Sequence, residues 1–407
     1  MSDVHLDFIL SDRTTNGNGG PRRGAAFPQL GAIFGGPPPF ITERTRTDNG
    51  TISAQRSSVP GDTYERLTQG ADMTKVLITG GAGFIGSTIA SACLDQGIIP
   101  VILDNLVTGR EEFTQGRIFY RGDIADGPLL DRIFEEHPEI DAAVHCAALI
   151  VVPESVSQPL RYYRENVAKT VALLEHLQRN GCERLLFSSS ASIYTPGADF
   201  SVDEDSELDP LSPYARTKML MELVFKDTAQ ATPLRVLSLR YFNPIGADPQ
   251  LRTGLQVPLP SHALGKLIEA RRSGETFRIT GTDWPTRDGS GIRDYVHVWD
   301  LARAHVAALQ RFDTALPVDG PEAYQVINLG TGAGTTVREL VAAFERVTGD
   351  TLPTEETSAR PGDNAGAFTR SARAAELLDW RPELDLEQGI ADTLAWFAHR
   401  DSILTPS

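Results

Sequence analysis

Lys75–Ser87 reads KVLITGGAGFIGS, and the expected fold follows from it. Lys75 to Thr79 is a short, β-branched apolar run of the kind that forms a buried parallel strand. It leads directly into Gly80, Gly83 and Gly86. In a strand-to-helix turn of this type the first glycine permits the tight bend, the second lets a pyrophosphate approach the backbone, and the third lets the helix pack closely on the sheet. The helix N–H groups then face the phosphates. A glycine-rich turn alone serves many strand-to-helix connections that bind nothing. Here a second apolar strand, Val101–Leu103, ends in Asp104, about 20 residues on, where an acid reaches a ribose hydroxyl. An acid there repels a 2′-phosphate, so the expected cofactor is NAD rather than NADP.

The totals narrow the partners. With 407 residues and 41% hydrophobic side chains, the chain can bury one large core or two lobes. A formal net charge of -16 disfavours nucleic acid and anionic membrane surfaces. Cys93, Cys146 and Cys182 have no CxxC spacing and no histidines clustered beside them, so neither a metal site nor a disulfide framework is expected. They read as core thiols of a cytoplasmic protein. No apolar run reaches the roughly 18 residues of a membrane span, and MSDVHLD is unlike a signal peptide.

Residues 1–72 are rich in Gly, Pro, Ser, Thr, Asn and Arg and lack apolar periodicity, which predicts a disordered extension. Met73 is then the expected start of the folded chain, with a docking tail as the alternative. From there strands and helices alternate: IFY at Ile118–Tyr120, helical LLDRIFEEH, strand DAAVHCA, helix RYYRENVAKTVALLEHLQRN, strand RLLFSSS, a helix from about Ser212 to Ala229, and strand LRVLSLR. The expected fold is α/β, a doubly wound parallel sheet (Rossmann) with a smaller α+β C-terminal substrate lobe. Residues 73–250 form the dinucleotide-binding part, joined again by parts of 299–330; 251–398 are mainly the smaller lobe and 399–407 a tail. Ligands in such sheets sit beyond the C-terminal strand ends.

Two constellations fall there. Tyr214 and Lys218 are spaced to share one helix face, and Ser188, Ser189 and Ser190 end a predicted strand. Tyrosine titrates near 10, so making it a base at neutral pH means lowering its pKa by about 3, or about 4 kcal/mol. One ammonium about 4 Å away in an effective dielectric near 20 contributes about that much. Lys218 is placed to supply it, a cationic nicotinamide adds to it, and Ser190 holds the substrate hydroxyl and passes its proton to Tyr214. Hydride transfer to NAD then oxidises an alcohol. His145, at a buried strand end, reads as a hydrogen-bonded structural residue, and Glu135 and Glu136 as a solvated helix face.

On GGAGFIGS, DNL at Asp104–Leu106, GDI at Gly122–Ile124, SSSASIY, SPYARTK, RYFNPIGADP, GTDWPTRDGSGIRDYVHVWDL, INLGTG and RPGD, the chain resembles the UDP-glucose 4-epimerases. These belong to the extended short-chain dehydrogenase/reductases, and the resemblance covers about residues 73–398. It implies a retained NAD that takes hydride from C4 of a UDP-hexose, a 4-keto sugar that turns over in the pocket, and hydride return to its opposite face. It implies NAD contacts from Gly80, Gly83, Phe84, Ile85, Gly86, Asp104, Asn105, Leu106, Asp123, Ile124, Ala147, Ala148, Asn166, Ser188, Tyr214, Lys218 and Phe242. Ser190 and Tyr214 act at the sugar, while Asn243, Arg293, Arg360 and Asp363 hold the UDP part. A guanidinium fork suits diphosphate oxygens; taken singly, either arginine reads better as a surface ion pair. A homodimer through two helices of the large lobe is also implied.

Departures from the family pattern matter. Ile150 replaces a common lysine, which loses or replaces one cofactor contact. Ala367 stands where a bulky tyrosine is frequent, which leaves room for a 2-N-acetyl group and makes UDP-GlcNAc/UDP-GalNAc interconversion an open alternative. LQVPLPSHALGK departs from the usual nucleotide loop. Related 4,6-dehydratases and decarboxylases need carboxylates beside the serine, where this chain has Ala191 and Ser192. A net NAD-dependent dehydrogenase would release NADH and has no use for the arginines, and an NAD-binding regulator has no use for an intact Ser190, Tyr214 and Lys218.

Overall fold

The computed structural model describes residues 74–257, 260, 262–359, 364–370 and 372–404. The expectations for residues 1–72, Arg360 and Asp363 therefore lie outside the described residues.

Seven strands form one parallel sheet: β1 (Lys75–Thr79), β2 (Ile99–Asp104), β3 (Ile118–Arg121), β4 (Ile140–His145), β5 (Arg184–Ser190), β6 (Arg235–Tyr241) and β7 (Tyr324–Leu329). Their order is β7-β6-β5-β4-β1-β2-β3, the doubly wound arrangement expected, with its crossover between β1 and β4. β1 lies between β2 and β4, with Leu77 opposite Val101 on one side and Ala143 on the other.

Alternate residues of these strands feed two cores, as the two-residue period of a strand demands. Val76, Ile78, Ile102, Val144 and Leu237 pack on one face with Ile89 and Cys93 of helix α1 (Phe84–Asp95) and with helix Val298–Gln310. Leu77, Val101, Leu103, Leu185 and Phe187 pack on the other with Gly127–Glu136, Lys169–Arg179 and Pro213–Ala231. Each such buried side chain contributes about 1.5–3 kcal/mol. The crevice beyond the C-terminal strand ends is thereby held by helices on both faces.

The smaller lobe is built on Ile292–His297, which pairs with Gly334–Thr336, Asn243–Ile245 and Gly366–Thr369; the last also pairs with Ser201–Val202. Phe277–Thr280 pairs separately with Thr354–Thr357. Two boundaries differ from expectation. Ser201–Val202 joins this sheet from within the 73–250 segment, because Phe368 and Thr369 offer it a ladder partner. Residues 400–404 are no tail: Arg400, 8% exposed, donates to the carbonyls of Gln256 (2.7 Å) and Val257 (3.0 Å), and Leu404 packs with Phe113 and Trp396.

Candidate active site

The glycine loop meets its steric requirements at two positions. Gly80 has φ +71°, and a Cβ there would lie 2.6 Å from the Ala147 nitrogen, on the loop after β4. A Cβ on Gly86 would lie 2.3 Å from the Gly80 carbonyl oxygen. Gly83 is the N-cap of α1 with no side-chain cap, and its Cβ would approach only the Gly80 oxygen, at 3.3 Å. The first-turn amides of α1 are thus left for an anion, and these residues fit a dinucleotide. Gly80→Ala is expected to lower stability by at least about 2 kcal/mol, from left-handed strain plus backbone collision, and to abolish NAD retention. Gly97→Ala is the control, because Gly97 has φ +72° with nothing within 4 Å. Equal losses in thermal melts of the two variants would contradict the close-approach argument.

Asp104 stands at the end of β2. Its carboxylate accepts from the Ala82 amide (3.0 Å) and the Leu106 amide (2.8 Å), so it fastens the glycine loop. Burial raises its pKa against the pull of those two amides. Leu106 adopts φ 60°, a left-handed conformation rare for leucine. At the next strand end, Asp123 accepts from Ala125 (3.0 Å) and from Lys169 Nζ (2.6 Å), with Asn105 at 3.5 Å. Burial alone would raise Asp123, but Lys169 and the amide outweigh it and hold the carboxyl below its usual range. Lys169, which also pairs with Glu165, was not singled out from sequence. Ile124 is buried beside them, and Phe84 and Ile85, half-buried, open α1.

Asn166 lies in a one-turn π-helix, Tyr163–Ala168, a local widening frequent at functional sites. Its amide accepts from the Leu149 N–H (2.8 Å) and donates to the Leu149 carbonyl (2.9 Å) and to Thr217 Oγ1 (3.2 Å). It thereby ties the Ala147–Ala148 loop to the helix of Tyr214. His145 is the expected strut. Thr170 donates to the Asn166 carbonyl and so accepts from Nε2, at 2.9 Å, which leaves Nδ1 to accept from Thr79, at 2.7 Å. Burial holds the ring neutral, its pKa pushed down to about 3.

Helix Pro213–Ala231 starts on Ser212, whose hydroxyl caps the Ala215 amide (3.1 Å), with Pro213 at a favoured first-turn position. Tyr214 and Lys218 follow one turn apart. Lys218 is buried; its Nζ donates to the Ser188 carbonyl (2.7 Å) and lies 4.7 Å from the Phe187 ring centroid. Burial lowers it to about 8, against the pull of Cys146 and Glu222. The expectation that Lys218 lowers Tyr214 needs correcting. Burial raises the half-buried phenol above its ordinary value of 10, and the opposing influence comes from nearby Ser190.

Ser190 is coupled to Ser192, Oγ to Oγ 2.9 Å, and accepts from the Ser192 amide at 3.2 Å; positions 191 and 192 bring no carboxylate to it. Ser188 Oγ lies 3.0 Å from Cys146 Sγ. Phe242, half-buried, follows β6, and Asn243 opens the strand opposite Tyr295. Arg293 Nη1 donates to the carbonyls of Ile292 (2.7 Å) and Ala365 (2.8 Å), and Nη2 to that of Asn364 (3.4 Å). Its guanidinium therefore anchors the segment that follows Asp363. Asp294 beside it, fully buried, accepts from Thr331, Gly332 and Thr369. Asp294 was not singled out from sequence; it stands in IRDYVH between Arg293 and Tyr295, and nothing local marks it as a lock.

A dinucleotide loop, a ribose-side acid and a tyrosine–lysine helix beside a serine-ended strand define an NAD-dependent protein of the short-chain dehydrogenase type. The chain belongs to the NAD dependent epimerase/dehydratase family, whose model matches residues 76–330. It is 40% identical over 331 residues to the UDP-glucose 4-epimerase of Azospirillum brasilense, covering 81% of this chain and 93% of that one. The UDP-glucose-4-epimerase structure from Stenotrophomonas maltophila, with bound NAD and formylated UDP-arabinopyranose, superposes with a TM-score of 0.75 at 36% identity, over 81% and 99% of the two chains. That of the UDP-Glc/GlcNAc 4-epimerase from Campylobacter jejuni gives 0.67 at 32% identity, over 80% and 99%. Among the described residues, no helix is long and apolar enough to cross a membrane.

Proposed function

We propose that this chain is an NAD-dependent UDP-hexose 4-epimerase, and that Ser190, Tyr214 and Lys218 carry its chemistry. The reading rests above all on Tyr214 and buried Lys218 one turn apart on one helix, with Lys218 Nζ seated on the carbonyl of Ser188 in the strand that ends at Ser190. When bound, NAD supplies the hydride acceptor and donor. Ser190 orients the C4 hydroxyl, and Tyr214 takes its proton while the C4 hydride departs, giving a 4-keto sugar; the positive charge of the nicotinamide, when bound, would add to that of Lys218 in offsetting the burial that raises the phenol. Lys218 balances the phenolate charge. After the sugar turns over, hydride returns to its opposite face and Tyr214 gives the proton back, so atoms and charge balance. Gly80, Gly83, Gly86, Asp104, Asn105, Asp123, Ala147, Asn166 and Phe242 are assigned to the cofactor, and Asn243 and Arg293 to the UDP part, a role the family resemblance also implies for Arg360 and Asp363. The NAD and formylated UDP-arabinopyranose bound in the Stenotrophomonas maltophila structure support both assignments.

We assign the chain to the cytoplasm, in keeping with three unpaired cysteines, and to a homodimer. Val156, Leu160, Leu211 and Leu223 are each more than half exposed, on or beside helices Val152–Ser157, Pro159–Tyr162 and Pro213–Ala231, which pack on one another. Such a patch favours a partner surface. Light scattering should give twice 44.2 kDa; a monomer at micromolar concentration would remove the dimer assignment.

The function is tested by incubating purified protein, without added NAD, with UDP-glucose and separately UDP-GlcNAc, and resolving the products by chromatography. Formation of the 4-epimer is expected. No conversion even after NAD is supplied to folded protein would move the assignment to a different nucleotide sugar or to a net dehydrogenase, and stoichiometric release of NADH would replace epimerisation with the latter.

A further inference from the structure

We propose that the buried Glu222–Arg240 pair is a positioning device for the reaction: through Ser189 it fixes the end of β5 so that Ser190 and Lys218 face Tyr214 and the sugar in register. The kinetic part of this proposal rests on the epimerase reading.

Glu222 lies one turn beyond Lys218 and two beyond Tyr214 on the same helix, 5% exposed. Its carboxylate accepts from Ser189 Oγ (2.5 Å), from Arg240 Nε (2.9 and 3.2 Å) and Nη2, and from the Tyr324 hydroxyl (3.1 Å). Arg240, 4% exposed, also donates to the Tyr194 hydroxyl (2.7 Å), which donates to Asn328 Oδ1 (2.7 Å), and its guanidinium lies 4.8 Å from the centroid of the Tyr194 ring. The network spans the helix, β5, β6 and β7, and in the β5–β6 register Ser189 faces Arg240 while Ser190 faces Tyr241.

A buried ion pair adds little net stability over a well-packed apolar pair, because desolvation offsets attraction. What it adds here is direction. Side chains alternate along a strand, so fixing Ser189 on one face sets Ser188 and Ser190 on the other. Ser188 offers its carbonyl to Lys218, and Ser190 stands near enough to Tyr214 to pull its pKa down. Lys218 is faced by Glu222 from its own helix, by the Cys146 thiol and the neutral His145 ring from the end of β4, and by the Phe187 ring and Ser188 carbonyl from β5.

The test uses the full-length, NAD-loaded protein. Ser189→Ala should lower kcat about tenfold with KM for the UDP-hexose and retained NAD within twofold of wild type, and Ser189→Thr should restore at least half. Glu222→Gln should move the alkaline limb of kcat to lower pH, because Lys218 loses a charge that favours its ammonium form. A substrate-free arm follows phenolate absorbance against the Tyr214→Phe variant. In Ser189→Ala, Tyr214 should titrate higher than in wild type, as Ser190 moves out of place and its downward pull weakens. Wild-type kcat and titration in Ser189→Ala would overturn the proposal, as would a loss that threonine does not restore and that matches a fall in Tm. If Glu222→Gln does not fold, the two Ser189 variants decide. If wild type converts no UDP-hexose, the epimerase reading fails and the phenolate titration alone decides the positioning role.

Discussion

Tyr214→Phe is expected to lower kcat about 1000-fold, within the range set by loss of a general acid–base, while leaving Tm within about 2 °C. The substitution removes one hydroxyl from a half-buried ring and keeps its packing. Buried Lys218 keeps its Ser188 carbonyl when the hydroxyl is gone. Chemistry suffers far more than folding, because proton removal from the C4 hydroxyl has no second base: Ala191 and Ser192 offer no carboxylate, and both nitrogens of neutral His145 are already bonded. The same arrangement fixes the sign of the pH dependence. Lys218 acts as ammonium, and burial brings its pKa down to about 8. Its charge is therefore complete at neutral pH and lost as pH rises through that value, so kcat should fall on the alkaline side. Chromatographic assay of the variant beside a thermal melt checks the claim. Turnover within tenfold of wild type would remove Tyr214 as the base.

The dinucleotide half was legible because its determinants are local. The glycines of Lys75–Ser87 sit within one turn, Asp104 ends the next strand, and Tyr214 and Lys218 are one helical turn apart. Periodicity reports such relations directly. What escaped depends on pairings between distant segments. Lys169 meets Asp123 across 46 residues, and Ser201–Val202 pairs with residues more than 160 positions away; nothing in their own neighbourhoods marks them. The π-turn around Asn166 is a one-residue widening that a 3.6-residue pattern does not register. Tyr214 is the informative failure. Spacing placed it beside a lysine, and a pairwise Coulomb estimate then lowered its pKa, but the protein buries the phenol, and burial acts in the opposite direction. The charge balance of the site belongs to its packing as much as to its spacing.

Ala367→Tyr is expected to lower kcat/KM for UDP-GlcNAc about 100-fold while changing that for UDP-glucose by less than about threefold. Ala367 lies in the strand Gly366–Thr369, directly opposite Arg293, whose guanidinium is committed to the carbonyls of Ile292, Asn364 and Ala365. Its neighbour is rigid: Gly366 has φ +106°, and a Cβ there would lie 1.8 Å from the Ile292 carbonyl oxygen and 1.9 Å from Arg293 Nη1. The backbone at Ala367 therefore has little freedom to retreat, and a larger side chain must occupy the volume in front of it. If that volume receives the substituent on C2 of the hexose, a phenol ring excludes an acetamido group but tolerates a hydroxyl. The discrimination is steric and falls on one substrate, which separates it from general damage to the fold. Paired kinetics on the two nucleotide sugars decide it. Equal losses on both would mean that Ala367 lies off the C2 pocket, and undetectable turnover of UDP-GlcNAc by wild type would mean that a small residue here does not suffice to admit it.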